Sequence, residues 1–301
     1  MSILDVSHIS KSYGDHKAVD DISFSLEKGS VYGILGPNGA GKTTTIRMVM
    51  NIIIPDSGDI NLFGQKLSED LKNRIGYLPE ERGLYPKMKV IDMLVFLGEL
   101  HLMKNSEAFN KATSWLGRLG LKEHANKKVE ELSKGMQQKV QIIGSLLHDP
   151  DLIILDEPFS GLDPVNTNLI KDIILEMKAS GKAIMLSTHM MEAAEKLCDQ
   201  IMMINHGHIV LEGALQPVLE AHGTSSIQVE YTGNAGFVRE LPMVETADIY
   251  SNYFEVRLKD HQNRNMFIEE LIKKIDIHSF KTMQSSLNEI FIRLAGETPN
   301  E

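Results

Sequence analysis

A glycine-rich loop constrains the fold of this chain more than any other stretch of its sequence. The loop follows the apolar run 31–35 and leads into the helical pattern of residues 46–51, with the spacing G-x-x-x-x-G-K-T. Its residues are Gly36, Pro37, Asn38, Gly39, Ala40, Gly41, Lys42, Thr43 and Thr44. Glycines let backbone N–H groups approach an anion, and the helix that follows directs its free N–H groups to the same point. The sequence therefore predicts a nucleoside triphosphate site, in which Lys42 reaches the outer phosphates and Thr43 holds Mg²⁺.

Composition and charge narrow the kinds of protein this chain can be. Its 301 residues give room for roughly two domains with buried cores. With 31 Lys and Arg against 41 Asp and Glu, the net charge of −10 argues against wholesale nucleic-acid binding. The single cysteine, Cys198, excludes an internal disulfide framework, and the first residues carry no secretory signal, so a cytoplasmic location is expected. No apolar run approaches the ~18 residues that span a bilayer, so a membrane role would need another chain.

The hydrophobic pattern of residues 1–215 predicts an α/β domain built around the glycine-rich loop. Residues 3–9 and 19–26 alternate between apolar and polar side chains, as the strands of an antiparallel pair do. A mostly helical segment at about 85–145 interrupts the α/β pattern. We therefore expect an α-helical insertion between two halves of an α/β core.

A second, smaller domain is predicted at residues 220–296. A boundary is expected near residues 217–224, where the pattern changes. Beyond it, residues 227–231 and 253–258 alternate as strands, and residues 266–275 have helical spacing. This domain is expected to be α+β, and no cluster of catalytic side chains is found in it.

Two adjacent carboxylates, Asp156 and Glu157, follow the apolar run 152–155. A continuous apolar run suits a central parallel strand that is covered on both faces. Because neighbouring side chains on a strand point in opposite directions, one carboxylate can face a metal ion while the other faces an attacking water. A second buried strand, residues 182–188, ends directly before His189, which taken alone reads as a structural histidine.

Two helix starts and one tyrosine complete the set of candidate positions. Ser133 lies where an N-cap belongs, and Asp163 precedes Pro164 as a cap followed by proline at the first helical position. Tyr13 lies just before a loop, where an aromatic ring can stack on a nucleotide base or simply cover a strand. The residue pattern by itself leaves both interpretations of Tyr13 open.

Taken in chain order, these motifs resemble those of an ABC ATPase, the ATP-binding subunit of ABC transporters. The motifs are the glycine-rich loop, Leu132-Ser133-Lys134-Gly135, Leu155-Asp156-Glu157-Pro158, Ser160-Gly161-Leu162-Asp163 and Thr188-His189. The resemblance covers about residues 1–215. It implies an α/β fold, a P-loop NTPase core of the RecA type with an antiparallel β subdomain and an inserted α-helical subdomain, followed here by the small C-terminal α+β domain. It also implies ATP hydrolysis, with ATP and Mg²⁺ as cofactors.

The resemblance also implies a role for each matching residue. Tyr13 would stack on adenine, and Asp156 would hold the Mg²⁺ shell. Glu157 would be the general base, and His189 would contact the γ-phosphate. Asp163 matches the loop aspartate that lies at the boundary between two subunits.

The signature residues imply a second subunit. Ser133, Lys134, Gly135 and Met136 open a helix whose N-terminus is another anion site. One chain cannot easily bring both helix starts to one γ-phosphate, and in the family the second start comes from a partner. Two cassettes, identical or related, would therefore enclose two ATP molecules head to tail.

Three positions depart from the family's usual residues. Glu80 stands where the family usually has glutamine, and an ionised glutamate can only accept hydrogen bonds. Glu80 can still ligate Mg²⁺, so it joins Thr43 and Asp156 in the expected metal set. Lys134 and Met136 replace the commoner glycine and glutamine. Lys134 either adds charge near the phosphate or is an ordinary solvated lysine.

Residues 78–85 and 286–294 look like those of bacterial exporter ATPases of the sodium-extrusion and drug-resistance type. This resemblance implies an integral membrane permease as a separate partner chain, which would hold the protein at the cytoplasmic face of the cell membrane. The helical insertion beginning near Leu84 would contact a cytoplasmic helix of that permease. An apolar stripe in residues 89–97 fits either this contact or the chain's own core.

A soluble ABC ATPase acting on ribosomes or DNA is the alternative function. Translation-type members usually carry two cassettes and basic linkers, whereas this chain has one cassette and a net charge of −10. Chromosome-structure members have a long coiled coil before the signature, and residues 45–131 show no sustained heptads. No nucleic-acid partner is therefore expected. A nucleotide-binding module without turnover is disfavoured by Glu157.

Overall fold

The computed structural model describes residues 2–66, 68–81, 83–222, 225–259, 263–284 and 286–297. The chain divides into two compact units between Leu215 and Gln216. None of the helices in the described residues is both long enough and apolar enough to cross a membrane.

In its described residues, the first unit contains ten strands and a set of helices that lie between them in the chain. In chain order the strands are β1 (Ser2–Tyr13), β2 (His16–Glu27), β3 (Val31–Leu35), β4 (Ser57–Leu62), β5 (Gln65–Lys66), β6 (Ile75–Leu78), β7 (Leu152–Asp156), β8 (Ala183–Thr188), β9 (Gln200–Asn205) and β10 (His208–Ala214). The α-helices are α1 (Lys42–Val49), α2 (Val90–Leu100), α3 (Asn105–Arg118), α4 (Lys134–Leu146), α5 (Pro164–Ala179) and α6 (Met191–Leu197).

The central sheet has the strand order β10-β9-β3-β8-β7-β6, and all neighbours are parallel except β10 and β9. Every residue of β3, β7 and β8 is buried. Strands that are covered on both faces require such continuous apolar runs. Because β3, β7 and β8 lie side by side, their carboxyl ends bring the glycine-rich loop, Asp156 and His189 to one edge of the sheet.

A smaller antiparallel sheet, β2-β1-β4-β5, packs against the central one. It confirms the predicted pairing of the first two strands. Phe24 of β2 stacks on Tyr32 of β3, with ring centroids 5.1 Å apart. Leu4, Ile34 and Met48 are buried in the same cluster, so the two sheets and α1 share one core.

Helices α2, α3 and α4 form the helical insertion. They lie in the chain between β6 and β7, which are adjacent strands of the central sheet. Val90, Met93 and Leu94 of α2 are fully buried, so the apolar stripe at 89–97 faces the chain's own core. The predicted α/β class, with an antiparallel subdomain and a helical insertion, is confirmed.

Among its described residues, the second unit has a four-stranded antiparallel sheet, in the strand order β12-β13-β11-β14, and three α-helices. Its elements are α7 (Leu215–His222), which begins at the last residue of the first unit, β11 (Ser225–Thr232), β12 (Val244–Ile249), β13 (Tyr253–Leu258), α8 (Arg264–Ile272), β14 (Asp276–Gln284) and α9 (Leu287–Glu297). Phe254 of β13 and Phe267 of α8 are fully buried and meet edge to face, 6.4 Å apart. The predicted strands at 227–231 and 253–258 are confirmed, whereas β12 and β14 were not predicted.

The segment expected to be a boundary, residues 217–224, is largely helical. Helix α7 occupies most of it, and residues 223–224 lie outside the described residues. Pro217 lies in the first turn of this helix, where a proline removes no hydrogen bond.

Candidate active site

The glycine-rich loop joins β3 to α1 and comes very close to neighbouring backbone. Gly36 has φ 148° and Gly41 has φ 113°, values that favour glycine. A Cβ atom at Gly36 would lie 2.2 Å from the Ile204 carbonyl oxygen, and one at Gly41 would lie 2.4 Å from the Ala18 carbonyl oxygen. These two glycines therefore fix the path that the chain takes into α1.

Lys42, the first residue of α1, is 5% exposed and its ammonium group is already held in place. Its Nζ donates to the carbonyl oxygens of Gly36, at 2.9 Å, and Pro37, at 3.1 Å. The same nitrogen lies 3.5 Å from Oε1 of Glu157. The loop thus carries a fixed positive charge beside the N-terminus of α1, an arrangement suited to binding phosphate.

Asp156 is the last residue of β7 and is fully buried. The hydroxyl of Ser187, on the adjacent strand β8, donates to its Oδ1. Its Oδ2 is buried and has no hydrogen-bond partner among the described residues. Burial raises the pKa of Asp156, the neighbouring hydroxyls of Ser187 and Thr43 partly oppose that rise, and the charges of Glu80 and Glu157 add to it.

Glu157 lies beyond the end of β7 in the left-handed region, with φ 51°. The expectation that strand alternation separates the two carboxylates is therefore wrong, since β7 ends at Asp156. The backbone N–H of Glu157 donates to the carbonyl oxygen of Ser187 at 3.2 Å and lies 3.1 Å from its hydroxyl. These bonds offset a conformation that costs about 1–2 kcal/mol.

The side chain of Glu157 connects Lys42 to His189. Glu157 is 6% exposed, and its Oε2 lies 3.0 Å from Nδ1 of His189. The His189 ring is about half exposed and follows directly after β8. A buried carboxylate between an ammonium and an imidazole is held in one orientation, as a proton acceptor for a reacting water must be.

Three oxygen-bearing side chains are positioned to hold Mg²⁺. The Thr43 hydroxyl donates to Oε2 of Glu80 over 3.4 Å, and the unpartnered Oδ2 of Asp156 supplies a further buried oxygen. Within the described part of the chain, no three His, Cys, Asp or Glu side chains form a complete metal site by themselves. Mg²⁺ does not need one, because it commonly takes one or two carboxylates together with substrate phosphates and water. The donor set therefore fits this ion.

Thr43 and Glu80 line a cleft of about 460 Å³. It is lined by Tyr13, His16, Ala18, Asn38, Gly39, Gly41, Lys42, Thr43, Thr44, Glu80 and Glu157. Tyr13 is 50% exposed at the end of β1, so its ring is available for stacking. The structure thus brings Tyr13, much of the loop, Glu80 and Glu157 to one cleft. Asp156 and His189 are not among its lining residues, and they lie next to Thr43 and Glu157, respectively, which are.

The signature residues and Asp163 are not among the residues that line this cleft. Ser133 caps α4 by accepting a hydrogen bond from the Met136 N–H at 3.3 Å, and both Ser133 and Lys134 are exposed. Asp163 caps α5, and the backbone N–H of Asn166, which donates to it at 2.9 Å, lowers the pKa of its carboxyl. Both caps were expected at these residues, and both face solvent.

Ser187 and His16 are site positions that the sequence interpretation missed. Ser187 is fully buried and contacts both carboxylate residues, Asp156 and Glu157. A polar residue near the end of an otherwise apolar strand, just before Thr188 and His189, was the available signal. His16 of β2 pairs with Tyr13 of β1, and nothing in the sequence around His16 indicates that it lines the cleft.

Comparison with known proteins places this site in a family. The family model described as "ABC transporter" matches residues 19–160. A second model, "ATP-binding protein DrrA1-3-like, C-terminal domain", matches residues 213–295. Both matches agree with a P-loop NTPase core followed by a separate C-terminal domain.

Relatives and solved structures match over most of the chain. An uncharacterized ABC transporter ATP-binding protein of Bacillus subtilis (strain 168), YhaQ, is 40% identical over 98% of this chain and 99% of its own length. The linearmycin resistance ATP-binding protein LnrL of the same organism is 32% identical over 98% of this chain and 99% of its own length. A solved ATP-binding subunit of an ABC transporter aligns with a TM-score of 0.68 and 30% identity, covering 73% of this chain and 92% of that one.

These matches define the class as ATP-binding subunits of transporters. The chain belongs to the ABC transporter ATP-binding proteins, a family that binds and hydrolyses ATP.

Proposed function

We propose that this chain is the motor of an exporter of the sodium-extrusion or drug-efflux type, driving a separate membrane permease. Two copies, or one copy and a related chain, would close over two ATP molecules and reopen after hydrolysis. The name of the linearmycin resistance relative supports the exporter direction. The chain would lie at the cytoplasmic face of the membrane, bound through the permease.

The exposed start of α4 carries this proposal. Ser133 and Lys134 face solvent, and a Cβ atom added at Gly135 would come no closer than 3.5 Å to any neighbouring atom. A helix N-terminus with such an open approach can receive an anion that another molecule brings. Since the start of α4 does not line the chain's own cleft, the phosphate it receives would belong to ATP bound by the second subunit.

The remaining roles follow from the geometry of the cleft. Lys42 and the loop N–H groups would bind the outer phosphates, and Tyr13 would stack on the adenine. Glu157 would accept the proton of the attacking water, while His189 fixes the orientation of Glu157 and reaches towards the γ-phosphate. When bound, Mg²⁺ would neutralise charge that develops on the phosphates.

Oxygen ligands for that ion would come from three side chains. Thr43 contributes a hydroxyl, Asp156 its unpartnered Oδ2, and Glu80 a carboxylate next to Thr43. Asp163 would lie at the boundary between the two subunits, beside the start of α5.

A second cleft in the first unit, of about 330 Å³, is the proposed binding site for a permease helix. It lies between the central sheet and the helical insertion, with Tyr77 and Pro79 on one side and Leu97 and Gly144 on the other. Leu84 lies at this cleft and is half-buried. Apolar side chains between two structural layers suit an amphipathic helix from another protein.

Purification of the tagged full chain from detergent-solubilised membranes tests the transporter proposal. A polytopic membrane protein should copurify with the native chain and be lost with Leu84→Asp. Phe109→Asp, at an exposed residue on α3 outside the second cleft, is the matched control and should retain it. Recovery of ribosomes, or of no partner at all, would contradict the proposal.

A further inference from the structure

The cleft that receives ATP carries more negative than positive side-chain charge. Among the described residues that line it, Lys42 is the only lysine or arginine, and Glu80 and Glu157 line it as well. Lys42 is also partly neutralised, because its Nζ lies 3.5 Å from Oε1 of Glu157. Asp156 adds a buried carboxyl, so the acidic groups outnumber the cation whether or not Asp156 is ionised.

Glu80 differs from the other two acidic residues in how it is held. Asp156 and Glu157 are both buried and tied to Ser187. Glu80 is exposed, just past the end of β6, and its Oε2 accepts a hydrogen bond from the Thr43 hydroxyl over 3.4 Å. The carboxylate of Glu80 therefore lies beside Thr43 in the cleft, on an exposed side chain that does not pack in the core.

The neighbouring acidic residue provides a contrast. Glu81 is 86% exposed and lies 3.3 Å from Arg47, outside the set of cleft-lining residues. Removing the charge of Glu81 would leave the cleft unchanged, whereas removing that of Glu80 would alter the potential beside Thr43. The two glutamates therefore form a matched pair for experiment.

A carboxylate at this place repels the phosphates of ATP unless a cation lies between them. Like charges within a few ångströms oppose each other, and a partly desolvated cleft screens them less than bulk water does. A divalent cation reverses the effect, because it can bind the carboxylate and the phosphates together. The buried, unpartnered Oδ2 of Asp156 provides a second anchor for that cation.

We propose that Glu80 makes nucleotide binding conditional on a divalent cation, so that the cleft accepts metal-bound ATP and rejects metal-free ATP. Glu80 is then a specificity-determining residue for the form of the nucleotide. This inference rests on the proposed metal site in the ATP cleft.

The test measures the dissociation constant of a non-hydrolysable ATP analogue by calorimetry, with Mg²⁺ and with EDTA, on the full chain. The ratio of the two constants, EDTA over Mg²⁺, should be about tenfold smaller in Glu80→Gln than in the native chain. The change should arise in the EDTA arm, where Glu80→Gln binds more tightly. Glu81→Gln and Glu80→Asp, which keeps the charge, should both retain the native ratio.

An unchanged ratio in Glu80→Gln would overturn the proposal, as would a Glu80→Asp variant that behaves like Glu80→Gln. Failure of the native chain to bind the analogue in Mg²⁺ would instead contradict the proposed ATP site itself. Matching melting temperatures for the native chain and Glu80→Gln establish that the variant is folded.

Discussion

Two helices of the first unit start next to glycines of the predicted nucleotide-binding motifs, and the surroundings of these two helix starts differ. The start of α1 is buried: Gly41 has φ 113°, a Cβ there would lie 2.4 Å from the Ala18 carbonyl oxygen, and Lys42 is fixed by two carbonyl groups. The start of α4 is open: Ser133 is exposed and Gly135 has room for a side chain. Both helix starts can bind anions.

The difference indicates that the two helix starts have different roles in ATP binding. A buried, preorganised helix start can hold a phosphate without help, since its donors are fixed before the ligand arrives. The exposed start of α4, which is capped by Ser133, can hold a ligand only when the surface of another molecule covers it. Changes at the start of α1 should therefore damage folding and ATP binding, whereas changes at the start of α4 should mainly slow hydrolysis and leave ATP affinity unchanged.

The largest expected effect is the difference between substituting Gly41, at the start of α1, and substituting Gly135, at the start of α4. Gly41→Ala should lower the free energy of unfolding by about 3 kcal/mol, because it combines an unfavourable φ with a backbone clash. Its ATP affinity should fall on the order of 100-fold, as the loop donors move. Gly135→Ala should keep its stability, since alanine suits a helix, and keep its ATP affinity, but hydrolyse ATP about tenfold more slowly.

Thermal melting, calorimetry and steady-state kinetics on both variants check this prediction. A Gly135→Ala chain that loses ATP affinity, or a Gly41→Ala chain that keeps it, would remove the distinction between the two helix starts.

A smaller effect on stability and kcat is expected at Ser187, which hydrogen-bonds the two carboxylate residues near the start of α1, Asp156 and Glu157. Ser187→Ala removes a hydroxyl that donates to Asp156 and accepts from the Glu157 N–H. We expect a loss of about 1–2 kcal/mol in stability and a roughly tenfold lower kcat, with little change in ATP affinity. Ser180→Ala, which removes an exposed hydroxyl bonded to Met177, is the control and should leave kcat unchanged. Equal kcat in both variants would contradict this role for Ser187.

The smallest effect is expected from the cap of α4. Ser133→Ala should cost about 0.5–1 kcal/mol of stability, as loss of an N-cap does, and slow hydrolysis by roughly threefold. Ser286→Ala removes an equivalent cap in the second unit, where the Glu289 N–H donates to Ser286 over the same 3.3 Å. Denaturant unfolding should give similar losses for both, whereas only Ser133→Ala should slow hydrolysis. If Ser286→Ala also slowed hydrolysis, the slower hydrolysis of Ser133→Ala would be explained by lost stability alone.

Much of the fold could be predicted from the sequence because the core strands follow simple patterns. In the second unit, the two central strands β11 and β13 bury alternate residues such as Val229, Phe254 and Val256, and both were predicted. The two strands that were missed, β12 and β14, are the edges of the sheet. An edge strand has one neighbour only, so its sequence is less constrained to be apolar.

The residues of the site were found where their type is chemically distinctive, as with Lys42 and Glu157. Ser187 was missed because a single serine carries no motif, and its role depends on the pairing of β8 with β7. The left-handed backbone of Glu157 also depends on that pairing, through the bond from its N–H to Ser187. Contacts between strands that are distant in sequence set both features, and local patterns do not report them.

The proposed composite site, in which α1 of one subunit and α4 of the other enclose one ATP, is tested most directly by mixing two inactive variants. Glu157→Gln removes the proposed general base, and Ser133→Arg blocks the start of α4. In a head-to-tail pair of the two variants, one site combines the native Glu157 of one chain with the native Ser133 of the other. The ATPase rate of an equal mixture should therefore rise to roughly a quarter of the native rate, although each variant alone is inactive.

A mixture of Glu157→Gln with the Glu157→Gln/Ser133→Arg double variant has no native Glu157 and should stay inactive. If the mixture of single variants hydrolyses ATP no faster than either variant alone, each site is completed within one chain, and the composite site is wrong.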